Sequence, residues 1–370
     1  MSGRKPDYIL LGVSLILIAF GILILSSASA SISQERFGQS YYFLNHQLLF
    51  GLLPGVILGF LAFKIELSFL KKQAPILILI NLFLMLMVFL PWTGSSFRGG
   101  TRWLTLGPIS FQPSEFLKLG AIIYWASWLT SPKKDLFLSR KKTKTQNFLL
   151  IPFLIITGLI GLLLIFQPDI STLGIIVFVS TLIYFWADTP FWHTVFIILI
   201  GLACLFALVK LAPYRLSRFS VFFNPDIEPM GIGYQIKQAL ITIGSGRISG
   251  VGLGLSRQKS GFLPQSMSDS IFAILAEETG FLGGATLIFL FLIFLWRSFK
   301  VALSNKDAFS QLLGAGISSW IILQAFINIG SMIGIIPLTG IPLPFVSYGG
   351  SALTNELIGL GLLLNISKQG

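Results

Sequence analysis

Apolar residues run through this chain in long unbroken stretches. They show neither the alternation of a half-buried strand nor the one-sided spacing of a soluble amphipathic helix. Residues 8–25 and 74–90 carry no charge, and each is long enough as a helix to cross a hydrocarbon core about 30 Å thick. Lipid offers no hydrogen-bond partners, so such runs must be helical. The weak alternating segments of about ten residues that build a membrane β-barrel do not dominate. The pattern predicts ten spans, near 7–29, 43–63, 74–91, 114–130, 148–166, 169–187, 192–212, 270–296, 309–335 and 347–366. The first run lacks a clear cleavage site and further spans follow it, so it reads as a retained helix rather than a signal peptide. No internal repeat or low-complexity tract stands out.

Composition agrees with an all-α, polytopic membrane bundle forming one integral membrane domain. The 370 residues are 54% hydrophobic and 11% charged, against about 25% charged in soluble domains. The net charge of +12 reads as membrane topology, not as nucleic-acid binding. With a cytoplasmic N-terminus, the short inside segments collect Arg4, Lys5, Lys64, Lys71, Lys72, Lys133, Lys134, Arg140, Lys141, Lys142, Lys144, Arg297, Lys300, Lys306 and Lys368. The short outside loops hold only Arg36, Arg98 and Arg102. This bias predicts that both termini lie inside.

One segment departs from the bias. Residues 213–268 form a large outside loop between spans seven and eight, with Arg215, Arg218, Lys237, Arg247, Arg257 and Lys259 against Asp226 and Glu228. Positive charge on the unfavoured side fits an anionic ligand such as a phosphate, or a loop held near anionic headgroups. The spacing of Tyr234, Lys237 and Leu240, ending at Gly244-Ser-Gly246, predicts a helix on or dipping into the outer face.

Ionisable groups at membrane depth cost about 2.5–3.5 kcal/mol each, so each raises a functional question. Glu115 and Lys118 stand at i, i+3 on span four and share a helix face, either as a self-neutralising bridge or as the lining of a polar cavity. Asp169 follows Gln167-Pro168 and is read equally as a helix N-cap or a substrate contact. Glu277 and Glu278 lie in span eight, where one of them should meet a Lys or Arg; Glu356 lies in span ten beside Asn355. His46, between Asn45 and Gln47, reads as an interfacial histidine. His193 is too distant in sequence for a metal pair, and the single Cys204 allows no intramolecular disulfide. Asp269, between Ser268 and Ser270, is locally an ordinary cap for span eight. It is also a carboxylate at the outer membrane edge beside a cationic loop, which is what a general base for a hydroxyl nucleophile requires.

The motifs resemble the SEDS family (shape, elongation, division and sporulation proteins; the FtsW, RodA and SpoVE group). They are Gly99-Gly-Thr-Arg-Trp103, Phe111-Gln-Pro-Ser-Glu115 with Lys118, Gln167-Pro-Asp169, Gly233-Tyr-Gln, Ile243-Gly-Ser-Gly246 and Gly250-Val-Gly-Leu-Gly254. Leu263-Pro264 through Asp269-Ser-Ile-Phe-Ala273, Glu277-Glu278 and Pro344-Phe-Val-Ser-Tyr-Gly-Gly-Ser351 complete the set. The resemblance covers nearly the whole chain. Gly-Leu-Gly followed by Ser256-Arg-Gln-Lys259 is closer to the division branch than to the elongation branch. Met267-Ser268 and Ser270 stand where relatives often carry His-Thr and Phe, and Arg247 where they often carry a second glycine.

The resemblance implies a bacterial inner-membrane peptidoglycan glycosyltransferase that polymerises lipid II, with Asp269 as the catalytic base. It places Arg102, Glu115, Lys118, Asp169, Arg215, Arg218, Gln238, Lys259 and Ser347 at the substrate. Lys118, Arg102, Arg215 and Arg218 are the candidates for the pyrophosphate. The same chemistry and likeness allow a divalent cation (Mg or Mn), although no metal-ligand spacing stands out; no organic cofactor is implied. Expected partners are lipid II, the nascent glycan strand, a class B penicillin-binding protein and other divisome or elongasome membrane proteins, with no nucleic acid. A lipid II flippase is the alternative, because charged spans, broken helices and a cationic outer loop also suit a transporter.

The charge bias makes a direct prediction. In a background lacking Cys204, a cysteine at Ser139 is labelled from the cytoplasm and one at Ser260 from outside. Outside-only labelling at position 139 would reverse the topology.

Overall fold

A computed structural model describes residues 5–90, 94–97, 100–106, 109–131, 147–210, 213–224, 226–227, 231–259 and 261–369. A helix lies over each of the ten expected spans: α1 (Tyr8–Phe37), α2 (Tyr42–Lys64), α3 (Leu67–Met87), α4 (Pro113–Leu129), α5 (Asn147–Phe166), α6 (Ile170–Trp186) and α7 (Phe191–Lys210). After two shorter helices, α8 (Pro213–Phe223) and α9 (Ile232–Ser245), come α10 (Ile271–Ser304), α11 (Ala308–Met332) and α12 (Gly350–Ser367). The chain is a multi-pass helical membrane bundle. The basic cluster between spans four and five lies outside the described residues, as do Arg4, Arg98 and Glu228.

Both chain ends lie on one face, because the Asp7 N–H donates to Ser367 Oγ at 3.0 Å and the Arg297 guanidinium pairs with the Asp7 carboxylate. That closure requires an even number of crossings. The face carrying the termini is called here the terminal face, and its opposite the loop face.

Polarity sorts the helices. The exposed surfaces of α2, α3 and α7 are apolar, with Leu53, Ile57, Phe60, Leu79, Phe83, Leu199 and Phe206 outward. The polar side chains sit on the central helices α4, α11 and α12, where Glu115, Lys118, Gln324, Asn328, Asn355 and Glu356 are all buried. Hydrocarbon penalises an outward charge, so charged helices take the middle. α2 packs on α12 through glycines: a Cβ on Gly59 would stand 2.6 Å from the Leu357 carbonyl oxygen, and one on Gly361 would stand 2.0 Å from that of Gly59. Small residues allow this backbone approach, which supplies the dispersion contact that binds helices in lipid.

The structure adjusts several boundaries. α3 begins at Leu67 rather than near 74, because its first turns carry Lys71 and Lys72 at the terminal face; the Lys71 ammonium donates to the Thr130 carbonyl at 3.0 Å. α12 begins at Gly350, the stretch from 347 being a turn. Between α3 and α4 lies a three-stranded antiparallel sheet that the span pattern did not predict. Its strands are β1 (Gly94–Phe97), β2 (Gly100–Leu106) and β3 (Ile109–Phe111), with Leu104 opposite Phe111.

The expected loop 213–268 is largely structured. The predicted amphipathic helix is α9, and the chain beyond it enters a break in α10. α10 has 34 residues, about 51 Å at 1.5 Å per residue, and Gly280 interrupts it with φ +69°. The main chain around the break exchanges hydrogen bonds with residues 247–252. Val251 and Gly252 N–H donate to the Glu277 and Glu278 carbonyls at 3.0 and 3.1 Å, while Phe281 and Leu282 N–H donate to those of Arg247 and Ile248 at 2.8 and 3.2 Å. Four of the backbone groups at the break thus have partners within the protein, as lipid requires.

A side chain cannot enter this junction. A Cβ on Gly280 would meet Gly250 N at 2.3 Å, whereas one on Gly12 of α1 meets nothing within 4 Å. Gly280→Ala should destabilise the protein by roughly 1–3 kcal/mol from backbone strain alone, and Gly12→Ala should not. Thermal midpoints of the two purified variants test this, equal midpoints contradicting the junction.

Candidate functional site

Asp269 ends a turn that leads from the loop into α10, and its main chain is held from two sides. Tyr348 N–H donates to the Met267 carbonyl at 2.8 Å, and Ser347 Oγ to that of Ser268 at 2.6 Å. Asn328 Nδ2 on α11 donates to the carbonyl of Asp269 itself at 2.8 Å. Three successive carbonyls are therefore fixed by other parts of the chain. The half-buried carboxylate faces the 338–343 segment, where a Cβ on Gly340 would stand 3.5 Å from Asp269 Oδ2. The cap position of α10 belongs to Ser270, whose own side chain does not cap the helix, and Asp269 stands one residue before it.

Strain accompanies this turn. Gln265 and Phe345 have φ of +58° and +63°, a region that costs non-glycine residues about 1–3 kcal/mol each. Hydrogen bonds hold both. Ser268 and Ser270 N–H donate to the Gln265 carbonyl at 3.0 and 3.1 Å, and Phe345 N–H donates to Glu356 Oε2 at 2.7 Å.

Three other elements close on the same place. Arg218 on α8 donates to the Leu338 carbonyl at 3.3 Å. Ser171 on α6 donates to that of Thr339 at 2.6 Å. Gln235 on α9 donates to Ser270 Oγ at 3.1 Å. The structure thus brings Asp269, Arg218 and Ser347 together. Arg215 lies one turn before Arg218 on α8, and its side chain lies outside the described residues. The contact from α9 comes from Gln235 rather than Gln238, whose half-buried side chain makes no hydrogen bond among the described residues.

Beneath the turn runs a buried polar column. Asn328, Gln324 and Trp320 form one stripe on α11. Asn328 Nδ2 also donates to the Ile341 carbonyl at 2.7 Å, and Gln324 Nε2 to that of Pro342 at 3.1 Å. Gln324 Oε1 accepts from Lys118 Nζ at 2.8 Å and from Trp320 Nε1 at 2.9 Å. Lys118 is bound to Glu115 at 2.7 Å, and Glu356 accepts from Gln324 at 3.4 Å. The void beside Lys118, between Ser180 and Trp320, has no room for a water molecule. Of the two readings of Glu115 and Lys118, the structure displays the bridge; a charge-lined cavity is not open here.

Other sequence candidates also prove to be internally engaged. Asp169 caps α6 through the Thr172 N–H at 3.4 Å and accepts from Ser114 Oγ at 2.9 Å and Gln112 Nε2 at 3.3 Å. Arg102 on β2 donates to the Gln167 carbonyl at 3.0 Å and also to that of Pro168. Lys259 is buried, bound to Glu278 at 3.0 Å, Ser27 Oγ at 2.8 Å and the Gly254 carbonyl at 2.7 Å. This is the cation expected for the Glu277-Glu278 pair, and Glu277 accepts from Ser256. Lys237 pairs with Asp226. Two of the six loop cations are thereby neutralised within the chain. Asn328, Gln235, Gln324 and Gln47 were not singled out in the sequence as site residues; an amide in an apolar run was the available signal for the first, third and fourth.

Among the described residues, no three His, Cys, Asp or Glu side chains converge as a metal cage.

Comparison with known proteins agrees with this architecture. A family described as cell cycle protein, covering FtsW, RodA and SpoVE, matches residues 7–370. The stage V sporulation protein E of Bacillus subtilis is 39% identical over 370 residues, covering 100% of this chain and 99% of that protein. A probable peptidoglycan glycosyltransferase FtsW of Nitrosococcus halophilus is 37% identical, covering 100% and 94%. A chain from a solved peptidoglycan synthase complex, described for its coordination of polymerization and crosslinking, superposes with a TM-score of 0.74 at 27% identity. That match covers 98% of this chain and 97% of the other.

The buried column predicts strong coupling. Lys118→Met leaves Glu115 without its cation, and breaking one side of a buried pair costs about 3–5 kcal/mol. Adding Glu115→Gln should recover part of the loss. Thermal midpoints of the wild type, the two single variants and the double variant provide the check, and strictly additive losses would rule out the bridge as a coupled unit.

Proposed function

The chain belongs to the FtsW, RodA and SpoVE family of cell cycle proteins, and we propose that it is a peptidoglycan glycosyltransferase polymerising lipid II. The observation that carries this reading is the Asp269 turn: its main chain is held from two other segments, and its carboxylate faces the 338–343 segment, to which Arg218 also bonds. The named relatives support the same activity.

In this reading a growing glycan on undecaprenyl pyrophosphate is the donor and a new lipid II the acceptor. The acceptor's GlcNAc 4-hydroxyl attacks C1 of the donor's terminal MurNAc while Asp269 takes the hydroxyl proton. The bond from C1 to the pyrophosphate oxygen breaks, and undecaprenyl pyrophosphate leaves. An α-linked donor giving a β-1,4 bond requires one inversion, which suits in-line displacement with a single base. Negative charge grows on the departing phosphate oxygens, and cations fixed in advance lower that barrier. We assign this role to Arg218, with Arg215 on the same helix, because Arg218 bonds to the 338–343 segment that faces Asp269. Arg102, Lys118 and Lys259 bond to groups outside that segment and are assigned to bracing the fold. The lysine and arginine bias makes the terminal face cytoplasmic and the Asp269 face extracytoplasmic in a bacterial inner membrane. The likeness to a chain of a peptidoglycan synthase complex supports a class B penicillin-binding protein as partner.

The flippase alternative draws on the broken helix of α10. In transporters such breaks expose backbone groups to the cargo; here the chain's own residues 247–252 occupy them.

Asp269→Asn tests the proposal. Asparagine keeps the size and removes the proton acceptor, so polymerisation should fall by about 10²–10⁴ while expression and partner binding persist. The assay is glycan synthesis from lipid II by purified protein with its transpeptidase partner. Near-normal synthesis by this variant would sink the base assignment, and a wild-type protein that moves lipid II without making glycan would favour transport.

A further inference from the structure

Gln47 on α2 is far from Asp269 in sequence, yet the two are joined through two short segments. Its side-chain amide is buried and spans the residue Tyr348. Gln47 Nε2 donates to the Ser347 carbonyl at 3.3 Å, and Gln47 Oε1 accepts from the Gly349 N–H at 3.0 Å. An amide that donates and accepts at once imitates a neighbouring strand and fixes the backbone on both sides of Tyr348. That same backbone holds the Asp269 turn: Ser347 Oγ donates to the Ser268 carbonyl and accepts from the Leu343 N–H at 2.8 Å, and Tyr348 N–H holds the Met267 carbonyl. Next to Gln47, His46 Nδ1 meets the Tyr348 hydroxyl at 3.0 Å and fixes its ring.

α2 is built to deliver this contact. A π-helical turn, Leu48–Leu52, interrupts it directly after Gln47. Within the turn Gly51, and below it Gly55 and Gly59, face α12, where a Cβ on Gly51 would lie 3.1 Å from Gly350 Cα. Residues four apart drift round an ordinary helix by about 40° per step, because each residue advances about 100°. The wider π turn offsets part of that drift, so Gln47 and the glycine stripe face the same neighbour. Such turns occur mostly as single insertions and often at functional sites.

We propose that Gln47 is a positioning residue for Asp269, acting through Ser347 and Tyr348 on the turn that carries the carboxylate. This rests on the reading of Asp269 as the base. Its role is geometric: a misplaced base slows proton transfer without weakening substrate binding, so kcat falls while KM holds.

Three variants decide it in the lipid II polymerisation assay, with full-length protein and its partner. Gln47→Leu removes both hydrogen bonds and should lower kcat about tenfold or more with KM within about twofold. Gln47→Glu keeps the acceptor for Gly349 N–H but sets an oxygen against the Ser347 carbonyl. When that carboxyl takes up a proton it regains a donor, so the ratio of its kcat to wild type should rise as pH falls from about 8 to 6. The titratable groups around the position are Tyr42 and His46 on α2 and Tyr348 opposite, with Asp269 beyond Ser347; taking the ratio to wild type at each pH removes their common contribution. A normal kcat in Gln47→Leu overturns the proposal, and so does a Gln47→Glu ratio that stays low and flat. If Gln47→Leu fails to fold, the Gln47→Glu ratio decides alone. Asp269→Asn runs in parallel: if it is active, the base reading and this inference fall together, and if it is inactive while Gln47→Leu is normal, only this inference falls.

Discussion

The rest of the structure depends on one constraint: a helix interrupted in a membrane bundle must find partners for the backbone groups it frees. α10 is interrupted at Gly280, and residues 247–252 supply those partners through four backbone hydrogen bonds. In water a broken helix could be hydrated; in lipid each unpaired group would cost several kcal/mol. The junction therefore ties the loop to the bundle more firmly than surface packing would. Lys259 adds a second tie by pairing with Glu278 two residues before the break. Beyond these ties, the turn carrying Asp269 lies against α11 and the 338–348 segment.

Charge is divided by the same logic. The buried ions of α4 and α12 meet the amides of α11, so the helices that lipid would expel are held together by the groups that cause the expulsion. Replacing such a network with apolar residues often costs little stability in other proteins. Stability alone thus does not account for this column. Its upper members hold the carbonyls of Ile341 and Pro342, which places the segment opposite Asp269.

The spans were legible because hydropathy is local: each helix announces itself within about twenty residues. The inward placement of α4 and α12 was legible too, from Glu115, Lys118 and Glu356. The sheet at 94–111 was not legible in the same way: 101–106 reads Thr, Arg, Trp, Leu, Thr, Leu, which lacks strict alternation, and its strands are short. The site was less legible because its contacts join distant parts of the chain. Ser347 reaches Ser268, Lys259 reaches Ser27, and Gln47 reaches Ser347, and no local pattern reports such pairs. Charge type was an incomplete guide for the same reason. Arg102, Lys118 and Lys259 have the chemistry of phosphate ligands, and their bonds to the protein's own groups could not be read from the sequence.

Asp169 and Asp269 show how partners decide between equal candidates. Both are aspartates at the entrance to a helix, and both were read as caps with a possible second role. Asp169 has its carboxylate oxygens occupied by Ser114, Gln112 and the Thr172 N–H, and its helix starts at the next residue. For Asp169, the ordinary reading accounts for the geometry. Around Asp269 the protein holds the main chain, through Tyr348, Ser347 and Asn328, and the cap position falls on Ser270. A cap needs its side chain turned back on the helix, whereas a base needs its backbone immobile and its side chain turned away. Asp269 has the immobile backbone, and its carboxylate lies beside the glycine at position 340. Three carbonyls fixed by other segments hold that carboxylate at a set place, and a set place is what proton transfer from a sugar hydroxyl would require.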